Sequence, residues 1–201
     1  MNSAVADDSL QGFRTLRRLA PKANNAEHCG LCRQSLAPSH EHLIEPYTRR
    51  LLCTCQPCAI LFDRPGTQYK RVPRQVRLLP DSQISDAQWD GLAIPIGIAF
   101  FVKHSVTDRE EPQLIAYYPS PAGAVESLLS LESWGELNNF QCDVEALLVN
   151  RTTRESFVVP IDECYRLVGL IRLHWRGLSG GPDVWRGIQS FFEGMKSRAY
   201  A

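Results

Sequence analysis

Cys29-Gly-Leu-Cys32 and Cys53-Thr-Cys55-Gln-Pro-Cys58, at either end of the run CGLCRQSLAPSHEHLIEPYTRRLLCTCQPC, hold five of the seven cysteines in this sequence. The pairs Cys29/Cys32 and Cys55/Cys58 stand 22 residues apart, which is the four-thiolate pattern of structural zinc sites. A two-residue gap lets the chain turn tightly enough for both sulfurs to face one ion at about 2.3 Å, so each pair supplies half of a tetrahedron. Between the pairs, Glu41–Glu45 (EHLIE) and Arg49–Cys53 (RRLLC) read as two short strands around Pro46-Tyr47-Thr48. The second pair then enters Cys58–Phe62 (CAILF), which reads as one or two helical turns. A CxxC knuckle, a β-hairpin and a CxxC at a helix start describe a treble clef. In a rubredoxin or zinc ribbon Gly usually follows the second cysteine of each pair, whereas Arg33 and Ala59 follow here. The expected metal ligands are Cys29, Cys32, Cys55 and Cys58, and the expected ion is zinc rather than iron.

Three other residues in this run carry chemistry. Cys53 is a fifth thiol that could replace Cys55 as a ligand, act as a redox partner, or stay a buried bystander after Leu51-Leu52. His40 and His42 lie at the first strand, where nucleases of the His–metal finger class place a general base. HEHLIEP followed by RRLLCTCQPC is loosely similar to such fingers, but Ala59 stands where the finger's next histidine belongs, and no catalytic Asn accompanies it. The plainer expectation is a hydrogen-bonding role beside the metal ligands.

Beyond the cysteines, PDSQISDAQWD (80–90) separates an N-terminal part, residues 1–80, from a second part, residues 81–201. The second part predicts strands at Ile94–Val102 and Gln113–Tyr118, then a helix from Pro121 to about Leu137 with Ser120 as cap. Val144–Asn150 and Glu155–Val159 form a hairpin across Arg151–Arg154, and a helix runs from about Ile161 to Trp175. After the loop GLSGG (177–181), Pro182 opens a last helix whose inner face is Val184, Trp185, Ile188, Phe191 and Phe192. The fold class is α+β: a small treble-clef-like four-cysteine zinc module, then a mixed or antiparallel sheet covered by helices. Cys142 and Cys164 read as buried small apolar residues. Arg172 and Arg176 before GLSGG could hold an anion, although glycine-rich loops more often cap helices. GLSGG has neither the GKS/T ending of a phosphate loop nor the GxSxG frame of a nucleophile elbow. Nothing in this part assembles a nucleophile with a base, so the expectation is a protein that is not an enzyme.

Hydrophobic residues are 44% and charged residues 22%, an ordinary globular composition. No stretch approaches the roughly 20 apolar residues of a membrane span. MNSAVADDSLQGFRTLRRLAPK lacks the apolar core of a secretory signal, and Leu10, Phe13, Leu16 and Leu19 predict a short amphipathic helix after Asp8 and Ser9. The expected location is the cytoplasm, where clustered thiols stay reduced and bind metal. Net charge is zero, but residues 1–80 carry 12 Lys/Arg against 6 Asp/Glu, and residues 81–201 carry 10 against 16. A basic half could contact nucleic acid, yet such imbalances are usually solvated faces.

CxxC, H-x-HL, RRLLCxCxxCxxLF, IPIGIAFF, YPSPAG, DVEALLVNR, IDECYRLVGLIRLHWRGLSGG and VW…FF together resemble a bacterial family encoded beside genes for actinobacterial-type, high-affinity nickel–iron hydrogenases. The similarity runs from Cys29 to Phe192, and its helix–loop string is the most specific part. The resemblance implies an accessory role in hydrogenase maturation or electron delivery, with a hydrogenase subunit or maturation factor as partner, and it carries over no catalytic residues. Two alternatives remain open: a rubredoxin-like iron, redox or metal-donating protein, and a regulator binding nucleic acid through residues 1–80.

Overall fold

The computed structural model describes residues 27–80, 84–105, 112–127 and 140–200. The helix expected after Asp8 and Ser9 lies outside them. The chain is α+β with two antiparallel sheets. In the small one, β1 (Glu41–Glu45) pairs with β2 (Arg50–Thr54) on one side and β3 (Lys70–Arg71) on the other. Helix α1 (Gln56–Phe62) follows β2 directly.

The large sheet has six strands: β4 (Arg77–Leu79), β5 (Ile98–His104), β6 (Gln113–Ser120), β7 (Gly123–Glu126), β8 (Glu145–Asn150) and β9 (Glu155–Pro160), in the order β4-β9-β8-β5-β6-β7. Helix α2 (Asp86–Gly91) precedes β5, and α3 (Ile161–His174) and α4 (Gly181–Arg198) follow β9. Both faces of the central strands are covered, which explains why β8 (EALLVN) is buried at every position. Phe100, Val102, Leu148, Phe157 and Val159 face one core with Leu167 and Ile171 of α3 and Val184, Ile188 and Phe192 of α4. Ala99, Phe101, Leu147, Val149 and Val158 face the other core with Ile84, Trp89, Leu92 and Phe140. Successive residues of one strand serve opposite layers, as the two-residue period of a strand demands.

Several sequence expectations need correction. The helix from Pro121 is replaced, as far as the described residues run, by β7. Ser120 pairs with Gly123, leaving Pro121-Ala122 as a tight turn. Ser-Pro at a helix start and Pro at the first corner of a turn are the same local signal, and here the edge of β6 supplied the partner; residues 128–137 lie outside the described set. The strand expected from Ile94 begins at Ile98. Trp185, expected inside, is 43% exposed. The polar stretch before β5 holds α2, whose capping box is built from Ser85 and Gln88. β4 belongs to the large sheet, and Ile44, Val72 and Val76 share the core of Phe100 and Phe157.

A polar seam joins the two sheets. Lys70 Nζ of β3 donates to Asp143 Oδ2 at 2.6 Å, while Ser105 donates its N–H to Asp143 Oδ1 at 2.8 Å and its hydroxyl to Oδ2 at 2.6 Å. Arg49 donates to the Tyr117 hydroxyl at 2.7 Å, which also meets His104 Nε2 at 3.0 Å. Burial, reinforced by the Arg49 charge and opposed by Asp143, brings the His104 imidazole down to about 4. An unfolded chain keeps that group near pH 6.5 and so binds more protons between the two values. This contribution is therefore intact above about pH 6.5 and is lost as pH falls toward 4. Between pH 7 and 4.5 the protein is expected to lose about 2–3 kcal/mol that His104→Gln does not lose. Urea midpoints measured across that range check it; parallel curves for the two proteins would remove His104 as the cause.

Candidate metal centre

The first CxxC forms a tight knuckle. Arg33 N–H donates to Cys29 O at 2.9 Å and Cys29 N–H to Gln34 O at 2.8 Å, with Arg33 in the left-handed region at φ 65°. Gly30 N–H donates to Cys53 O at 2.8 Å, which lays the knuckle against β2. A Cβ at Gly30 would meet Leu52 Cδ2 at 3.2 Å, so the glycine permits this close approach. Cys55 is the N-cap of α1, Pro57 sits in its first turn, and Ala59 N–H bonds back to Cys55 O at 2.9 Å, presenting Cys55 and Cys58 on one side.

The Sγ atoms of Cys29, Cys32, Cys55 and Cys58 lie within 4.8 Å of one another, and those of Cys32 and Cys55 are 3.6 Å apart. A tetrahedron with metal–sulfur bonds of about 2.3 Å has edges of about 3.8 Å, so the donor set fits one such ion. Cys29, Cys55 and Cys58 are buried, and partly buried Leu31 and Leu36 pack around them. Burial pushes the Cys29 thiol up, but N–H groups of Cys32, Cys55 and Leu31 aimed at its sulfur bring it down to about 6. Burial and the bonds to neighbouring sulfurs push Cys58 far up. Negative charge thus gathers on Cys29, and a central cation would let the remaining thiols ionise.

Cys53 stands outside this group and instead joins His40 and His42, with one ligand atom from each within 4.8 Å of the others. Burial, with the charge of Glu27 nearby, raises its thiol. Cys164 is fully buried in α3, and Cys142 donates to Lys103 O at 3.2 Å. Arg176 Nη1 donates to the carbonyls of Leu173 and Trp175 and so closes the C-terminus of α3. Sequence reasoning missed Asp162, whose Oδ2 lies 2.8 Å from His42 Nδ1 across a separation of 120 residues.

Fold and site together define an α+β protein with a cluster of four cysteines able to hold a metal ion. A match over residues 28–199 shows that the chain belongs to the DUF5947 family, described as a family of unknown function. No curated protein and no solved structure matches it. Among the described residues no helix is long and apolar enough to cross a membrane.

Proposed function

We propose that this protein is a non-enzymatic, zinc-binding accessory protein that acts through contacts with another protein. The observation that carries the reading is the convergence of four thiols, three of them buried, to within 4.8 Å. Four thiolates around one ion leave no open position for a substrate, so the metal organises a segment too small to build its own core. A knuckle, a hairpin and a CxxC at the start of α1 support a treble-clef description of that segment. Exposed apolar side chains support a protein partner: Ile60 and Leu61 on α1, and Leu173, Leu178 and Trp185 around the GLSGG loop. The resemblance to a family encoded beside nickel–iron hydrogenase genes makes a hydrogenase subunit or maturation factor the partner to test, in assembly or maturation.

Protein purified without oxygen is expected to retain one zinc per chain through gel filtration and to show no visible absorption bands. Iron with thiolate charge-transfer bands would replace this reading with a rubredoxin-like redox protein. Co-isolation with a hydrogenase component, and loss of hydrogenase activity on gene deletion, are expected for the accessory role. If neither is found, the hydrogenase assignment fails.

A further inference from the structure

A second set of side chains of metal-ligating type, His40, His42 and Cys53, shares no donor with the four-cysteine cluster. His42 of β1 and Cys53 of β2 are directly opposed in the hairpin register, so both side chains leave the same face. His40, just before β1, brings its ring centroid to 4.8 Å from that of His42 at an interplanar angle of 67°. Tetrahedral coordination by two imidazole nitrogens and a thiolate needs donor separations of about 3.3–3.6 Å. One ring nitrogen from each histidine and the Cys53 sulfur lie within 4.8 Å of one another, close to those separations.

The hydrogen bonds fix the tautomers. His40 Nδ1 lies 2.9 Å from Ala37 O, and His42 Nδ1 lies 2.8 Å from Asp162 Oδ2. A carbonyl and a carboxylate only accept, so each neutral ring carries its hydrogen on Nδ1 and keeps its lone pair on Nε2. Metal-ligating histidines are held in this way, one nitrogen on the ion and the other on a carboxylate or a backbone carbonyl. His40 Nε2 is buried without a hydrogen-bond partner, in a side chain only 8% exposed. A buried lone pair left unmet is a cost that the fold tolerates for a reason, and an ion removes it. Glu27 Oε2 lies 3.5 Å from the same nitrogen, in a side chain 61% exposed.

We propose that His40, His42 and Cys53 form a second, exchangeable site for a divalent late first-row transition ion of the zinc class, with Glu27 facing the fourth position and Asp162 orienting His42. Two imidazoles and one thiolate select zinc, cobalt or nickel over magnesium, calcium or manganese. Three donors with an exposed carboxylate at the fourth position hold an ion less firmly than four thiolates, so this site exchanges metal while the four-cysteine cluster retains it. The proposal is independent of what the four cysteines bind.

The test is a cobalt(II) titration of the purified full chain, followed by equilibrium dialysis, metal analysis and absorption spectra. The wild-type protein is expected to take up one further equivalent with tetrahedral ligand-field bands and a thiolate-to-cobalt charge-transfer band. Cys53→Ser and Cys53→Ala should abolish the charge-transfer band and lower affinity at least about ten-fold, and His42→Gln should do the same to affinity. Asp162→Asn, which touches no metal, should weaken binding by about 10- to 100-fold while leaving the band in place at saturation. In all of these, metal held by the four-cysteine cluster should be unchanged. No additional cobalt in the wild type, or an additional equivalent with the same spectrum and affinity in the Cys53 and His42 variants, overturns the site. Absence of tightly held metal from the untreated protein would instead count against the four-cysteine reading, and the difference in cobalt uptake between the wild type and the Cys53 and His42 variants would still decide this one.

Discussion

Cys58→Ser is expected to empty the four-cysteine cluster and to unfold the knuckle and α1, while the six-stranded sheet stays folded. Among the described residues, the apolar cluster there consists of Cys29, Cys55 and Cys58 with Leu31 and Leu36 against it. Without an ion that segment has little to offset its chain entropy. Binding of structural zinc by thiolates contributes on the order of 10 kcal/mol, and much of it is folding free energy. Serine is a poor donor to zinc, so most of that contribution goes with the one sulfur. The large sheet has two apolar layers of its own and should survive. Zinc content and limited proteolysis check this: metal should be lost and new cuts should appear between residues 27 and 63. Cys29→Ser should behave alike, whereas Cys53→Ser should keep the tightly held zinc. Equal loss of that zinc in all three would place Cys53 among the ligands of the first cluster.

Phe157→Ala is expected to cost about 3–5 kcal/mol. Phe157 is 0% exposed at the middle of β9, opposite Leu148 of β8 and Leu78 of β4. Its ring meets that of Phe192 on α4 at 6.1 Å. Truncation opens a cavity between the sheet and α4, and strands hydrogen-bonded on both sides cannot shift to close it. Against a stability on the order of 5–15 kcal/mol this is a large fraction. Leu178→Ala, at a fully exposed position, should stay within about 0.5 kcal/mol. Urea unfolding of the two variants separates the cases, and a loss below about 1 kcal/mol for Phe157→Ala would remove it from the core.

Much of this was legible because it is local. The β8–β9 hairpin, α3 and α4 carry their own periodicity, turn and breaker residues within a few residues of each position. The capping box of α2 was written as Ser85…Gln88 within a stretch that its polar composition made look like a linker. Trp185 follows the helical period of Ile188 and Phe192 yet lies half in water, because its indole N–H donates to Ser179 O at 3.0 Å in the exposed loop. A period marks a face but not the width of the stripe that a neighbour covers.

The grouping of His40, His42 and Cys53 needed the register of one hairpin, which a change of one residue in its turn would have reversed. Asp162 had no sequence signal at all.

The sequence by itself determined the grouping of the four cysteines, the hairpin between the CxxC pairs, and the α+β class, since cysteine spacing and side-chain period are properties of short segments. Tertiary structure alone decided that β4 crosses to pair with β9, that Ser120–Gly123 turns back as a strand rather than entering a helix, and that a carboxylate on α3 meets His42. Each of these depends on which apolar faces find one another across the whole chain, and that free energy is a sum over distant residues with no imprint on any one stretch.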